Sequence, residues 1–204
     1  MAIDGQGYAW VTNGAFANST DSVSKFTSDG APVTGSPFTG GGLNSPKGIA
    51  IDSQGNAWVA NLGQLPLQSS DTVTMLGPDG RPAAGTPFSG GGILGAWGIA
   101  VDGKDNIWVA NFVGESVSQL CGANPANCPP GLRTGDPISP PTGYTSDALQ
   151  RLTSVVIDSS GNVWAPNNWK NIPILANPGG DGLVVFVGLA APVKTPLNGL
   201  PQQP

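Results

Sequence analysis

The chain has 204 residues, a net charge of −5, 39% hydrophobic and 10% charged residues, with 31 Gly and 20 Pro. That apolar content at low net charge excludes a disordered chain, so Gly and Pro read as turn residues between short apolar runs. Eight Lys plus Arg, scattered singly, leave no nucleic-acid footprint, and no apolar stretch approaches the roughly 18 residues that span a bilayer.

The first element is Ile3-Asp4-Gly5-Gln6-Gly7-Tyr8-Ala9-Trp10-Val11-Thr12-Asn13, two apolar runs about an Asp-x-x-Gly turn. The Asp side chain there accepts from backbone N–H groups further along the turn, and Gly supplies positive φ. A third run, Ser22-Val23-Ser24-Lys25-Phe26, follows, and a fourth, Val33 to Phe38, comes after the turn Ser28-Asp29-Gly30. The same order recurs from Ile51 to Asn61, with Thr72 to Leu76 and Ala83 to Phe88, and again from Val101 to Asn111, with Ser116 to Leu120 and Leu132 to Ile138. The last copy runs from Ile157 to Asn167, with Leu183 to Val187 and a worn fourth run, Ala191 to Leu197. Trp10, Trp58, Trp108 and Trp164 are 48, 50 and 56 residues apart.

Four short strands per unit of this length predict an all-β fold, a β-propeller with four four-stranded antiparallel blades. The blades are expected at 1–38, 47–88, 97–138 and 152–197 in one domain, with a tail at 198–204. Short Gly- and Ala-containing runs such as Gly48-Ile49-Ala50-Ile51 suit innermost strands covered on both sides, and Pro in the fourth runs suits outer edges. The repeated tryptophans are expected between blades.

The pieces Pro46-Lys47-Gly48-Ile49-Ala50-Ile51-Asp52 and Gly55-Asn56-Ala57-Trp58-Val59-Ala60-Asn61, with their copies, resemble the NHL-repeat propellers and their streptogramin-lyase-like and gluconolactonase (regucalcin-like) relatives. The resemblance implies catalytic or metal-binding histidines in the lyase-like members, and this chain has none. It implies a divalent metal held by a glutamate with Asn and Asp in the gluconolactonase-like members. The single glutamate, Glu115, instead precedes the third run of the third unit. No catalytic residue, metal ligand or cofactor is therefore expected, and the residues present give no support to a divalent metal on the central axis. Closed rings of this type take six or seven blades. The chain also opens on repeat sequence without a signal peptide, so it is expected to be the C-terminal part of a longer secreted propeller. A self-contained four-bladed ring, and an arc that self-associates through its open end blades, are the alternatives.

The long irregular segments, 13–21, 39–46, 61–71, 139–151 and 167–181, all fall at one end of the blades, and variable loops on a regular scaffold are where binding sits. Trp97, Tyr144 and Trp169, each outside the repeat pattern, are the ligand-binding candidates there. Asn13, Asn61, Asn111 and Asn167 join them at the ends of the second strands, as strand caps or as a polar ring. The opposite end carries Cys121 and Cys128, spaced for a small disulfide loop or left as two thiols; without histidine they make a poor zinc site. A disulfide implies a secreted or periplasmic location. Asn18-Ser19-Thr20 is a formal glycosylation sequon.

The function expected is a non-catalytic binding scaffold for a protein, peptide or glycan. A lyase- or lactonase-like enzyme whose essential residues lie in absent blades is the alternative, and a purely structural repeat is the third reading.

Overall fold

The computed structural model describes residues 1–14, 20–63, 71–169 and 182–193. Asn18 of the sequon, most of the worn fourth run and the 198–204 tail lie outside the described residues. Four antiparallel sheets follow one another along the chain. The first is β1 (Ala2–Ile3), β2 (Ala9–Asn13) and β3 (Ser22–Phe26), and the second is β4 (Pro46–Ile51), β5 (Ala57–Asn61) and β6 (Thr72–Leu76). The third is β7 (Ala96–Val101), β8 (Ile107–Asn111) and β9 (Ser116–Leu120). In the fourth, the inner strand is split into β10 (Arg151–Leu152) and β11 (Val156–Ile157), both paired with β12 (Val163–Trp169), which also pairs with β13 (Leu183–Phe186). No α-helix occurs among the described residues.

The Asp-x-x-Gly turns are built alike. Oδ1 of Asp4, Asp52, Asp102 and Asp158 accepts the backbone N–H groups two and four residues on. The Oδ2 of each accepts from Nε1 of Trp10, Trp58, Trp108 or Trp164 at 2.9 to 3.0 Å. One carboxylate thus closes the turn and fixes the indole. The bond from Trp164, with those from Asn162 and Ser160, holds the Asp158 carboxyl well below the usual carboxylate range. Burial pushes the Asp4 carboxyl up, but its bonds to Trp10, Tyr8, Gln6 and Lys25 outweigh that and leave it lowered.

Trp10, Trp58 and Trp108 sit where one blade meets the next, as expected, whereas Trp164, in the last of the four blades, is half-buried outside these clusters. Trp10 and Val23 pack against Ile49, Ala57, Val59 and Leu76 of the second blade. Trp58, Val73 and Phe88 meet Ile107, Val109 and Leu120 of the third, and Trp108 and Val117 meet Leu152, Ile157 and Val163 of the fourth. Near the axis a Cβ on Gly48 would lie 2.6 Å from the Trp97 carbonyl oxygen, and one on Gly98 2.6 Å from Ser154 Cα. Successive inner strands therefore approach at a distance only glycine admits.

The outer runs pair with the third strands through isolated bridges: Val23 with Phe38 and Phe26 with Pro32, Val73 with Phe88 and Leu76 with Pro82. In the third blade the partners are Val117 with Tyr144 and Leu120 with Pro137. The outer run therefore ends at Tyr144, and Pro137 stands with Pro32 and Pro82 rather than with Pro37 and Pro87. Each complete outer run contains two Gly-x-Pro-apolar motifs five residues apart, Gly30 to Val33 and Gly35 to Phe38, so the single copy at Gly135 to Ile138 fits either by sequence. Packing decides: a Cβ on Gly80 would run into the Phe38 ring, and one on Gly135 into the Phe88 ring, so these glycines are equivalent. In the fourth unit, residues 190–193 do not form an outer strand on β13. Ala190 N donates to Gly161 O, Val193 N to Asp158 O and Gly103 N to Ala191 O, which tucks the segment beneath the turns of the third and fourth blades.

Candidate functional site at the long-loop face

Asn13, Asn61 and Asn111 are the last residues of β2, β5 and β8, and Asn167 lies two residues before the end of β12. Asn61 is fully buried: Nδ2 donates to Thr72 and Thr74 hydroxyls at 3.2 and 2.9 Å, and Oδ1 accepts from Asn44 N at 3.3 Å. Asn111, also fully buried, does the same with Ser116, Ser118 and Leu94 N. Asn13 reaches Ser22 and Ser24, and Asn167 accepts from Gln150 N while donating to Ala148 O. Each ties its strand to the third strand or the incoming connection, and in Asn61, Asn111 and Asn167 both polar side-chain atoms are engaged in this way.

Tyr144 lies on the outer run. Its ring is 5.7 Å from Trp108, as Phe38 is 6.0 Å from Trp10 and Phe88 5.7 Å from Trp58. Its hydroxyl donates to Gln119 Oε1 at 3.0 Å, and burial raises its pKa. Tyr144 is therefore the third blade's version of a repeated core aromatic and stands apart from the other two candidates.

Trp97 and Trp169 share a cluster through Phe112. The Trp97 and Phe112 centroids are 5.0 Å apart, and Phe112 meets Trp169 edge-on at 5.9 Å. Lys47 Nζ lies 5.6 Å from the Trp97 ring centroid and the Arg151 guanidinium 5.3 Å from that of Phe112. Five side chains from three blades thus form a run of three aromatic rings with a cation on each of two of them, with Phe112 buried and the two indoles half-buried. Burial lowers the Lys47 pKa, opposed by the charge of Asp21. The row borders an open groove of about 440 Å³ along the inner strands, where Lys47 and Trp97 join Thr12, Thr153 and Ser154.

Sequence reasoning missed Lys47, Phe112 and Arg151. Lys47 and Trp97 follow Pro46 and Ala96, which pair with Asn61 and Asn111, so they share one register position; that offset is visible once the repeats are aligned. A second recurring device also went unread. Asp21 Oδ2 accepts from Ser45 N at 2.8 Å and Asp71 Oδ2 from Gly95 N at 2.7 Å, joining the start of each third strand to the next inner strand. Glu115 occupies the corresponding place in the third blade, immediately before Ser116, with φ of 48°.

At the opposite face Cys121 and Cys128 form a disulfide, closing a loop that contains the 3₁₀ turn Pro125–Asn127.

No family model matches the sequence, and neither does any curated protein sequence. Solved structures do match in fold. A protein of unknown function from Bacteroides caccae aligns with a TM-score of 0.59 at 16% identity, over 92% of this chain and 62% of that one. Virginiamycin B lyase from Staphylococcus aureus aligns at 0.55 and 14% identity, over 95% and 55%. A gluconolactonase from Xanthomonas campestris aligns at 0.56 and 18% identity, over 80% and 51%. The fold is that of the gluconolactonase-like and streptogramin-lyase-like β-propellers. The chain spans 51% to 62% of the length of these matched structures.

Proposed function

We propose that the chain is a binding propeller of the secreted or periplasmic space that engages a protein, peptide or glycan through its long-loop face without catalysing a reaction on it. The row formed by Lys47, Trp97, Phe112, Arg151 and Trp169 carries this reading. It is absent from the repeat pattern, draws on three blades, and borders a groove of polar character. A half-buried indole offers an apolar surface to a sugar ring or side chain, while neighbouring cations and hydroxyls take its polar groups. The Cys121–Cys128 disulfide supports the location, and no helix among the described residues is long and apolar enough to cross a membrane.

Glycan and peptide arrays probed with the wild-type chain and with Trp97→Ala/Trp169→Ala test the reading. Binding to one class, weakened at least about tenfold in the variant, is the expected outcome, equivalent to about 1.4 kcal/mol. No binding on either array, or binding unchanged in a folded variant, overturns it.

The fold neighbours named as a gluconolactonase and a streptogramin-type lyase favour a second reading, a lactonase- or lyase-like enzyme completed by residues outside this 204-residue stretch. Lactone hydrolysis that depends on an added divalent metal would favour it over the first.

A further inference from the structure

On the third strand, the residue paired with the repeated Trp is Lys25, Met75 and Gln119 in the first three blades. In the first two it closes the seam to the next blade. Lys25 Nζ donates to Pro78 O at 3.0 Å and pairs with Asp4 at 3.2 Å, and Met75 is buried with Ile107 and Leu120 of the third blade. Gln119 does neither. Its Oε1 accepts from the Tyr144 hydroxyl, and an open pocket of about 580 Å³ lies at this seam, between the third blade, the disulfide loop and residues 189–192.

Donors outnumber acceptors among the side chains of this pocket. Gln119 and Asn106 line it and are only 7% and 5% exposed. The Tyr144 hydroxyl has no other partner among the described residues, so its proton goes to Gln119 Oε1, and Nε2 is left without an acceptor there. Asn56 and Asn162 turn Nδ2 onto the carboxylates of Asp52 and Asp158. Asn106 instead places Oδ1 3.4 Å from Cys128 Sγ, and its Nδ2 makes no hydrogen bond among the described residues. Buried polar groups are almost always paired, so two unspent amides lining one pocket point to a ligand. Lys104 adds an ammonium that forms no ion pair among the described residues. The one carboxylate of the lining, Asp102, is already engaged: Oδ1 accepts from Lys104 N and Asn106 N, and Oδ2 from Trp108 Nε1 and Ala191 N. Pro129, Leu189 and Pro192 supply an apolar wall.

We propose that this pocket is a second binding site, separate from the loop-face row, and that it takes a small organic carboxylate. The acid group is held by Lys104 and the Asn106 and Gln119 amides, since hydrogen bonds to an ionised acceptor are stronger than neutral ones. The carbon body of the ligand rests on the apolar wall, which a bare inorganic anion would leave unused.

NMR titration of the isotopically labelled chain tests this with benzoate, glucuronate and N-acetylleucinate, each set against its neutral primary amide. At least one acid is expected to shift the side-chain amide signals of Asn106 and Gln119 and to bind at least about tenfold more tightly than its amide. Lys104→Gln is expected to abolish that preference. Gln119→Met, which installs the side chain that closes the preceding seam, is expected to weaken acid binding at least about tenfold. Lys104 is exposed, so Lys104→Gln keeps the test decisive where Gln119→Met does not fold. No shift at the two amides with any of the acids, amides that bind as tightly as their acids, or acid binding unchanged in the folded variants overturns the proposal. Acid binding lost in Trp97→Ala/Trp169→Ala overturns it too, because the acids would then lie at the loop face.

Discussion

The turn-face carboxylates Asp4, Asp52, Asp102 and Asp158 each hold two backbone N–H groups and one indole, with the same atoms in the same roles. At the loop face, Asn61 and Asn111 clamp two hydroxyls and a backbone N–H, Asn13 holds hydroxyls, and Asn167 trades them for a carbonyl. The turn face is a fixed assembly device. The loop face keeps its caps but lets everything around them vary, which is where Trp97, Phe112 and Trp169 enter. Stability is therefore concentrated at the turn end and in the blade interfaces, and chemical individuality at the loop end.

The largest test of this division compares two tryptophans. Trp58 is fully buried between the second and third blades and anchored by Asp52. Trp58→Ala is expected to destabilise by about 3–5 kcal/mol in denaturant unfolding, through lost burial and the cavity left behind. Trp97→Ala, at a half-buried site beside Phe112, is expected to cost clearly less. Equal losses at the two positions would abolish the distinction between scaffold and site.

The caps give the next test. Asn61→Ala leaves Asn44 N and two threonine hydroxyls without their partner in a fully buried position, an expected loss of about 1–3 kcal/mol. Asn13 makes comparable hydroxyl bonds at an exposed strand end, so Asn13→Ala is expected to change stability by no more than about 0.5 kcal/mol. Chemical denaturation of the pair, read at constant slope, checks both.

The repeat made the blades legible because Asp, Gly, Trp and the alternating apolar residues each have a local duty that recurs at a fixed position. What recurs within one unit is harder to place. The doubled Gly-x-Pro motif let Pro137 align five residues away from its true partners and left Tyr144 looking like a loop residue. In the folded chain its ring does the work of Phe38 and Phe88. The cation–aromatic row was legible only in part, since Lys47, Phe112 and Arg151 meet across blades and no spacing along the chain encodes that meeting. Tyr144→Phe separates the two duties of its side chain. The stacking on Trp108 stays while the bond to Gln119 is lost, so a loss of about 1 kcal/mol is expected.

The smallest expected effect sets two equivalent residues against each other. Asp21 and Asp71 each accept a backbone N–H with Oδ2, and the Oδ1 of each is buried without a hydrogen-bond partner. Their surroundings differ. Asp21 acts on Lys47 as an opposing charge, whereas burial raises the Asp71 pKa above the usual carboxylate value. A group whose folded pKa is raised contributes stability at low pH that is lost as pH rises through the folded value, because the native state then holds an ion it solvates poorly. Asp71→Asn removes that loss while its amide oxygen still accepts from Gly95 N. The variant is therefore expected to match the wild type in acid and to exceed it at neutral pH, by at most about 1 kcal/mol. Asp21→Asn is expected to act in the opposite direction near neutral pH, by a fraction of 1 kcal/mol, because Lys47 loses the charge that offsets its burial. Unfolding free energies of both variants across pH 3 to 8 measure the signs. Like signs at the two positions would mean that the shared backbone bond, and not the neighbouring charge, governs this face.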